Sequence, residues 1–159
     1  MRVAALSDIH GNLPALEAVL AEVEREGVDA IVVAGDSISG PWPAEVLDQL
    51  VEVDALVVRG NADRHVLDSD GASGDPETAL ARWCAAALGP DRLAVAALWP
   101  VTREVDVDGL GRLLLCHSTP SSDEVIYTRI APDAELLELL VEPMDRDAAT
   151  AEFERLRGA

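Results

Sequence analysis

Short apolar runs alternate with amphipathic stretches along the first third of the chain, and each run ends on a polar residue. Arg2-Val3-Ala4-Ala5-Leu6-Ser7 leads into Asp8-Ile9-His10, and Ala30-Ile31-Val32-Val33-Ala34 into Gly35-Asp36. Ala55-Leu56-Val57-Val58-Arg59 leads into Gly60-Asn61-Ala62-Asp63, and Arg112-Leu113-Leu114-Leu115-Cys116 into His117. Runs of this length bounded by turn residues read as strands. Between the first two, Leu16, Val19, Leu20 and Val23 recur at three- and four-residue spacing. That spacing predicts an amphipathic helix, capped by Asn12 with Pro14 in its first turn, running to Glu26 and stopped by Gly27. Gly40-Pro41-Trp42-Pro43 breaks the chain, and Val46, Leu47 and Leu50 suggest a second helix.

Further on, Asp68–Pro76 reads as a polar loop, Thr78–Leu88 as a helix ended by Gly89-Pro90, and Arg92–Leu98 as another short helix. Arg103–Val107 and Arg112–Cys116 flank Asp108-Gly109-Leu110-Gly111, a hairpin pattern. Pro132–Val141 reads as a helix, and Phe153 and Leu156 as the apolar side of a short final one. Strands separated by helices imply parallel pairing with right-handed crossovers, and the hairpin adds antiparallel pairing. The expected class is α/β. One domain is expected over 1–142, followed by a polar C-terminal tail over 143–159.

Nearly half of the 159 residues are apolar (49%), enough for a real core. No run approaches bilayer length, and the four apolar residues after Arg2 are too few for a secretory signal, so the expected location is the cytoplasm. The formal charge is −18, and all twelve basic residues are Arg. Such a field repels duplex nucleic acid, and no membrane partner is expected, but a small anion could still bind through a divalent cation. Cys84 and Cys116 are too few for a disulfide framework, and Cys116 reads as a small core residue.

The strand ends carry the chemistry. On an extended backbone Asp8 and His10 would share a face, and a carboxylate beside an imidazole suits a divalent transition metal. Asp36 follows a glycine and can bridge two cations; Asn61 offers an amide oxygen and His117 a ring nitrogen. Taken singly, Asp36 could be a helix cap, Asn61 a turn residue and His117 a core histidine. Four such ends in order are harder to dismiss.

As a set, Asp8-x-His10, Gly35-Asp36, Gly60-Asn61-x-Asp63 and Cys116-His117 resemble the calcineurin-like metallophosphoesterase superfamily, in particular its small bacterial phosphodiesterases. The resemblance covers roughly residues 1 to 130. It implies a sandwich of mixed sheets with helices on both outer faces (α/β/β/α), shortened here at the C-terminus. It also implies hydrolysis of a small phosphodiester or phosphomonoester by a metal-activated hydroxide. Asp8 and His10 would hold one divalent ion, Asn61 and His117 a second, and Asp36 would bridge them. Manganese is the expected metal, with iron, zinc, nickel or magnesium as alternatives. Asp63 and Arg64 are the remaining catalytic candidates, Asp63 orienting a ligand or a substrate-side group and Arg64 contacting a phosphate oxygen.

Two departures from that pattern stand out. Many relatives carry His where this chain has Ala62; His65 is the nearest substitute, or else an exposed loop residue. The family's closing Gly-His-x-His is not found, because the histidines are His10, His65 and His117. Three readings follow: a weakly active enzyme completed by water or a neighbouring chain, a non-catalytic binding module, or a shortened form of a longer enzyme. The uncovered side of a shortened sheet would favour association between copies.

Overall fold

The computed structural model describes residues 1–69, 75–126 and Pro132. The chain divides into two compact units, Met1–His117 and Ser118–Ala159. In the first, β1 (Val3–Leu6), β2 (Ala30–Ala34) and β3 (Leu56–Val58) form a parallel sheet in the order β1-β2-β3. Val3 registers with Ala30, and Val32 with Leu56. The crossovers are α1 (Leu13–Glu26) and α2 (Pro43–Glu52). Asn12 caps α1 by accepting from the Ala15 amide at 3.2 Å. Gly27 closes it in the left-handed region (φ 61°), where a side chain would be strained.

The two faces of the sheet follow the alternation of a strand. Val33 and Val57 pack with Leu16 of α1 and with Val46 and Leu50 of α2. Their neighbours Val32 and Val58 turn the other way. There they meet Val105, Val107 and Leu115 from the antiparallel hairpin β4 (Thr102–Val107) and β5 (Gly111–Cys116). This builds helix, parallel sheet and antiparallel sheet as successive layers. Val32, Val33 and Val58 are wholly buried, each burial contributing about 1.5–3 kcal/mol.

Asn61–Leu67 forms a short helix, α3, in a segment to which the sequence pattern assigns no helix. The helices expected at Thr78–Leu88 and Arg92–Leu98 are the arms of one element, α4 (Pro76–Ala96), broken at Gly89 (φ 70°) before Pro90. Ala81, Cys84 and Leu88 of α4 pack on Ile38, Leu47 and Val66. No helix among the described residues is long and apolar enough to cross a membrane.

In the second unit, Thr119 and Ser122 form an isolated antiparallel bridge, and the Ser118 hydroxyl donates to the Val125 carbonyl. The helices expected at Pro132–Val141 and around Phe153 and Leu156, and the boundary expected near 142, lie outside the described residues.

Candidate metal centre

Beyond the strands, the loops after β1 and β2 remain laced together. The Asp8 amide donates to the Gly35 carbonyl (3.1 Å), that of His10 to Asp36 (2.8 Å), and that of Gly11 to Ser37 (2.8 Å). Asp8, His10 and Asp36 all adopt left-handed conformations, with φ of 55°, 47° and 55°. This corrects the expectation that Asp8 and His10 share a face of an extended strand. Strand geometry stops at Leu6, and each left-handed residue then re-aims its side chain. Such conformations cost free energy and persist where the surroundings fix them, here through the interloop hydrogen bonds.

The result is a convergence of ligand-type atoms. One such atom from each of Asp8, His10 and Asp36 lies within 4.8 Å of the others. His10 Nε2 is 3.8 Å from Asp8 Oδ1 and 3.5 Å from Asp36 Oδ2. That same Asp36 oxygen lies 3.6 Å from His117 Nε2, which is 3.1 Å from Asn61 Oδ1. The five side chains singled out from sequence therefore form two groups that share the Asp36 carboxylate.

The environment of His117 tests whether cations fit. Its Nδ1 lies 2.7 Å from the Ala34 carbonyl, which can only accept, so Nδ1 carries the proton. In the neutral ring Nε2 is then a lone pair, directed among two further oxygen acceptors. Acceptors gathered this way repel one another unless a positive charge sits among them, and imidazole, carboxylate and amide oxygen make a suitable donor set for a divalent metal.

Asp63 is wholly buried and does not join the cluster. Its Oδ1 accepts from the Ser37 and Ile38 amides (2.8 and 2.9 Å), and its Oδ2 from the Gly60 amide (3.0 Å). Burial raises its pKa above the ordinary carboxylate value, and these three donors offset part of that rise. Asp63 thus ties the loop after β2 to the start of α3, a positioning arrangement with no exposed atom for substrate. Next to it, the Ala62 amide donates to Asp36 Oδ1 at 2.9 Å. Gly60 permits this approach, because a Cβ there would fall 2.1 Å from Asp36 Oδ1.

Arg64 and His65 line a cleft between α3 and the start of α4, with Asp68 and Thr78. His65 Nδ1 lies 3.1 Å from Glu77 Oε1, so the histidine is a helix-to-helix contact, not an exposed loop residue. Burial raises both thiol pKa values, which disfavours the thiolate forms of Cys84 and Cys116. A cleft of about 900 Å³ lies at the opposite ends of the strands, beside Gly27–Ala30 and Asp54; its polar rim is mainly carboxylate and contains no histidine. Sequence reasoning missed the Ala34 carbonyl and the Ala62 amide, since backbone groups leave no signature in residue type. It also missed the Ser7 hydroxyl, 2.5 Å from Asp8 Oδ2, although its place beside Asp8 was a usable signal.

A family profile described as calcineurin-like phosphoesterase matches residues 1–150. An uncharacterized protein of Methanocaldococcus jannaschii is 29% identical over 134 residues, 82% of this chain and 54% of its own. Phosphodiesterase YfcE of Escherichia coli is 38% identical over 77 residues, 42% of each chain. The crystal structure of a metallophosphoesterase from Sphaerobacter thermophilus aligns with a TM-score of 0.63 at 29% identity, covering 80% of this chain and 51% of its own. The chain thus spans about half the length of these relatives.

Proposed function

Because the chain belongs to the calcineurin-like phosphoesterase family, we propose that it hydrolyses a small phosphodiester or phosphomonoester with two divalent cations, manganese foremost. The observation that carries this reading is the Asp36 carboxylate oxygen 3.5 Å from His10 Nε2 and 3.6 Å from His117 Nε2. Asp8 and His10 would hold one cation, Asn61 and His117 the other, with Asp36 common to both. Cations held there would supply a water of lowered pKa and neutralise charge on the phosphoryl oxygens.

The chain's own groups supply position. The Ala34 carbonyl fixes the His117 ring, the Ala62 amide fixes Asp36, and Asp63 holds the two loops in register. Ala62 has no proton to give, so the proposed substrates are esters with good leaving groups. The −18 charge supports a small ester, not duplex nucleic acid, as the partner, and the proposed setting is the cytoplasm.

The test is hydrolysis of bis(p-nitrophenyl) phosphate by the purified protein with manganese. Turnover is expected, and Asp36→Ala should abolish it. A folded sample that shows no turnover with manganese, nickel, zinc, iron or magnesium overturns the proposal and leaves a binding module.

A further inference from the structure

Aromatic residues are scarce here: three Trp, one Tyr and one Phe. Trp99 packs against two of the apolar clusters. Trp42 belongs to none of the three clusters formed by the described residues, and it is 42% exposed. Its place in the fold is closely fixed. The Trp42 amide donates to the Gly11 carbonyl at 3.0 Å, and Gly11 follows His10. Two residues before Trp42, a Cβ on Gly40 would fall 1.7 Å from the His10 carbonyl oxygen. The Ser39 carbonyl faces His10 Nδ1 at 3.4 Å. Pro41 and Pro43 flank the tryptophan, and α2 begins at Pro43, so the backbone carrying the indole has little freedom. A half-exposed indole is thus carried on a stiff loop clamped against a residue of the metal cluster.

We infer that Trp42 is a specificity-determining residue that stacks a planar aromatic ring, a nucleobase or an aryl group, of an ester whose phosphate lies at the cluster. The inference rests on the proposed phosphoesterase reading for the position of the phosphate. An uncharged ring suits this surface. A second anion would meet the repulsion of a strongly acidic chain, whereas an indole face binds neutral rings by stacking without a charge partner.

The test is calorimetry on the manganese-loaded protein with AMP, phenyl phosphate and ribose 5-phosphate, alongside hydrolysis of bis(p-nitrophenyl) phosphate by the same samples. At least one ring-bearing ligand should bind about 5- to 20-fold more tightly than ribose 5-phosphate. Trp42→Ala should erase that preference and Trp42→Phe should keep most of it. A preference for AMP assigns a nucleobase, and one for phenyl phosphate assigns an aryl group. Equal binding of all three, no binding of any, or a preference that survives in Trp42→Ala overturns the inference. If the Trp42-dependent preference stands and turnover is absent, only the phosphoesterase reading falls; if turnover stands and the preference does not depend on Trp42, only this inference falls.

Discussion

Asp36 and His117 expose 7% and 13% of their side chains, whereas Asp8 and His10 beside them expose 59% and 48%. The buried half is oriented by neighbouring backbone: the Ala62 amide on Asp36 and the Ala34 carbonyl on His117. The open half is oriented by its own left-handed conformations and by interloop amides. Hydrogen bonds shielded from water hold their partners more firmly, so the buried half is set before any ligand arrives. The open half faces solvent, the side from which cation and ester would enter.

The contrast can be broken most severely at Gly60. Gly60→Ala would push a methyl group into the Asp36 carboxylate, and misplacing the shared ligand should lower hydrolysis of bis(p-nitrophenyl) phosphate about 100-fold. Retention of near-normal turnover would show that Asp36 is not held as described. Asp63→Asn attacks the support behind the buried half. It turns an acceptor of three amides into a group with two donors, at a cost of about 3 kcal/mol. Thermal denaturation should register a Tm lower by about 6–12 °C.

On the open side, Asp8→Asn should weaken manganese binding about 10-fold in calorimetry while leaving the Tm nearly unchanged, because little packing is lost. The smallest effect is expected outside both halves, at the Asp48–Arg92 pair (2.7 Å). The Arg92 hydrogen bond lowers the Asp48 pKa, so the pair's stabilisation is present above the ordinary carboxylate value and is lost as pH falls through the lowered one. Asp48→Asn should lower the Tm by about 2 °C or less at neutral pH, and by nothing in strong acid.

Legibility in the sequence varied with how local each cause is. The parallel unit was readable because apolar runs, helical spacing and the caps Asn12 and Gly27 act over a few residues. The residues of the cluster stood out because Gly35-Asp36 directly follows β2 and Gly60-Asn61 comes one residue after β3. Helix α3 was missed because it is a seven-residue helix whose start at Gly60 is fixed by the Asp63 carboxylate and not by an apolar stripe.

By itself, the order of residues determined the strands, the crossover helices and the set of side chains available at their ends, since those depend on spacing and turn chemistry. Only the folded chain decided how the side chains meet. The left-handed turns at Asp8, His10 and Asp36 come from amides pairing between two loops. The proton on His117 is placed by a carbonyl 83 residues earlier, and Asp63 is fixed by amides 25 and 26 residues before it. Peptide groups are the same at every position, so nothing in residue type announces which of them will lie against a given side chain; that is settled when the layers pack.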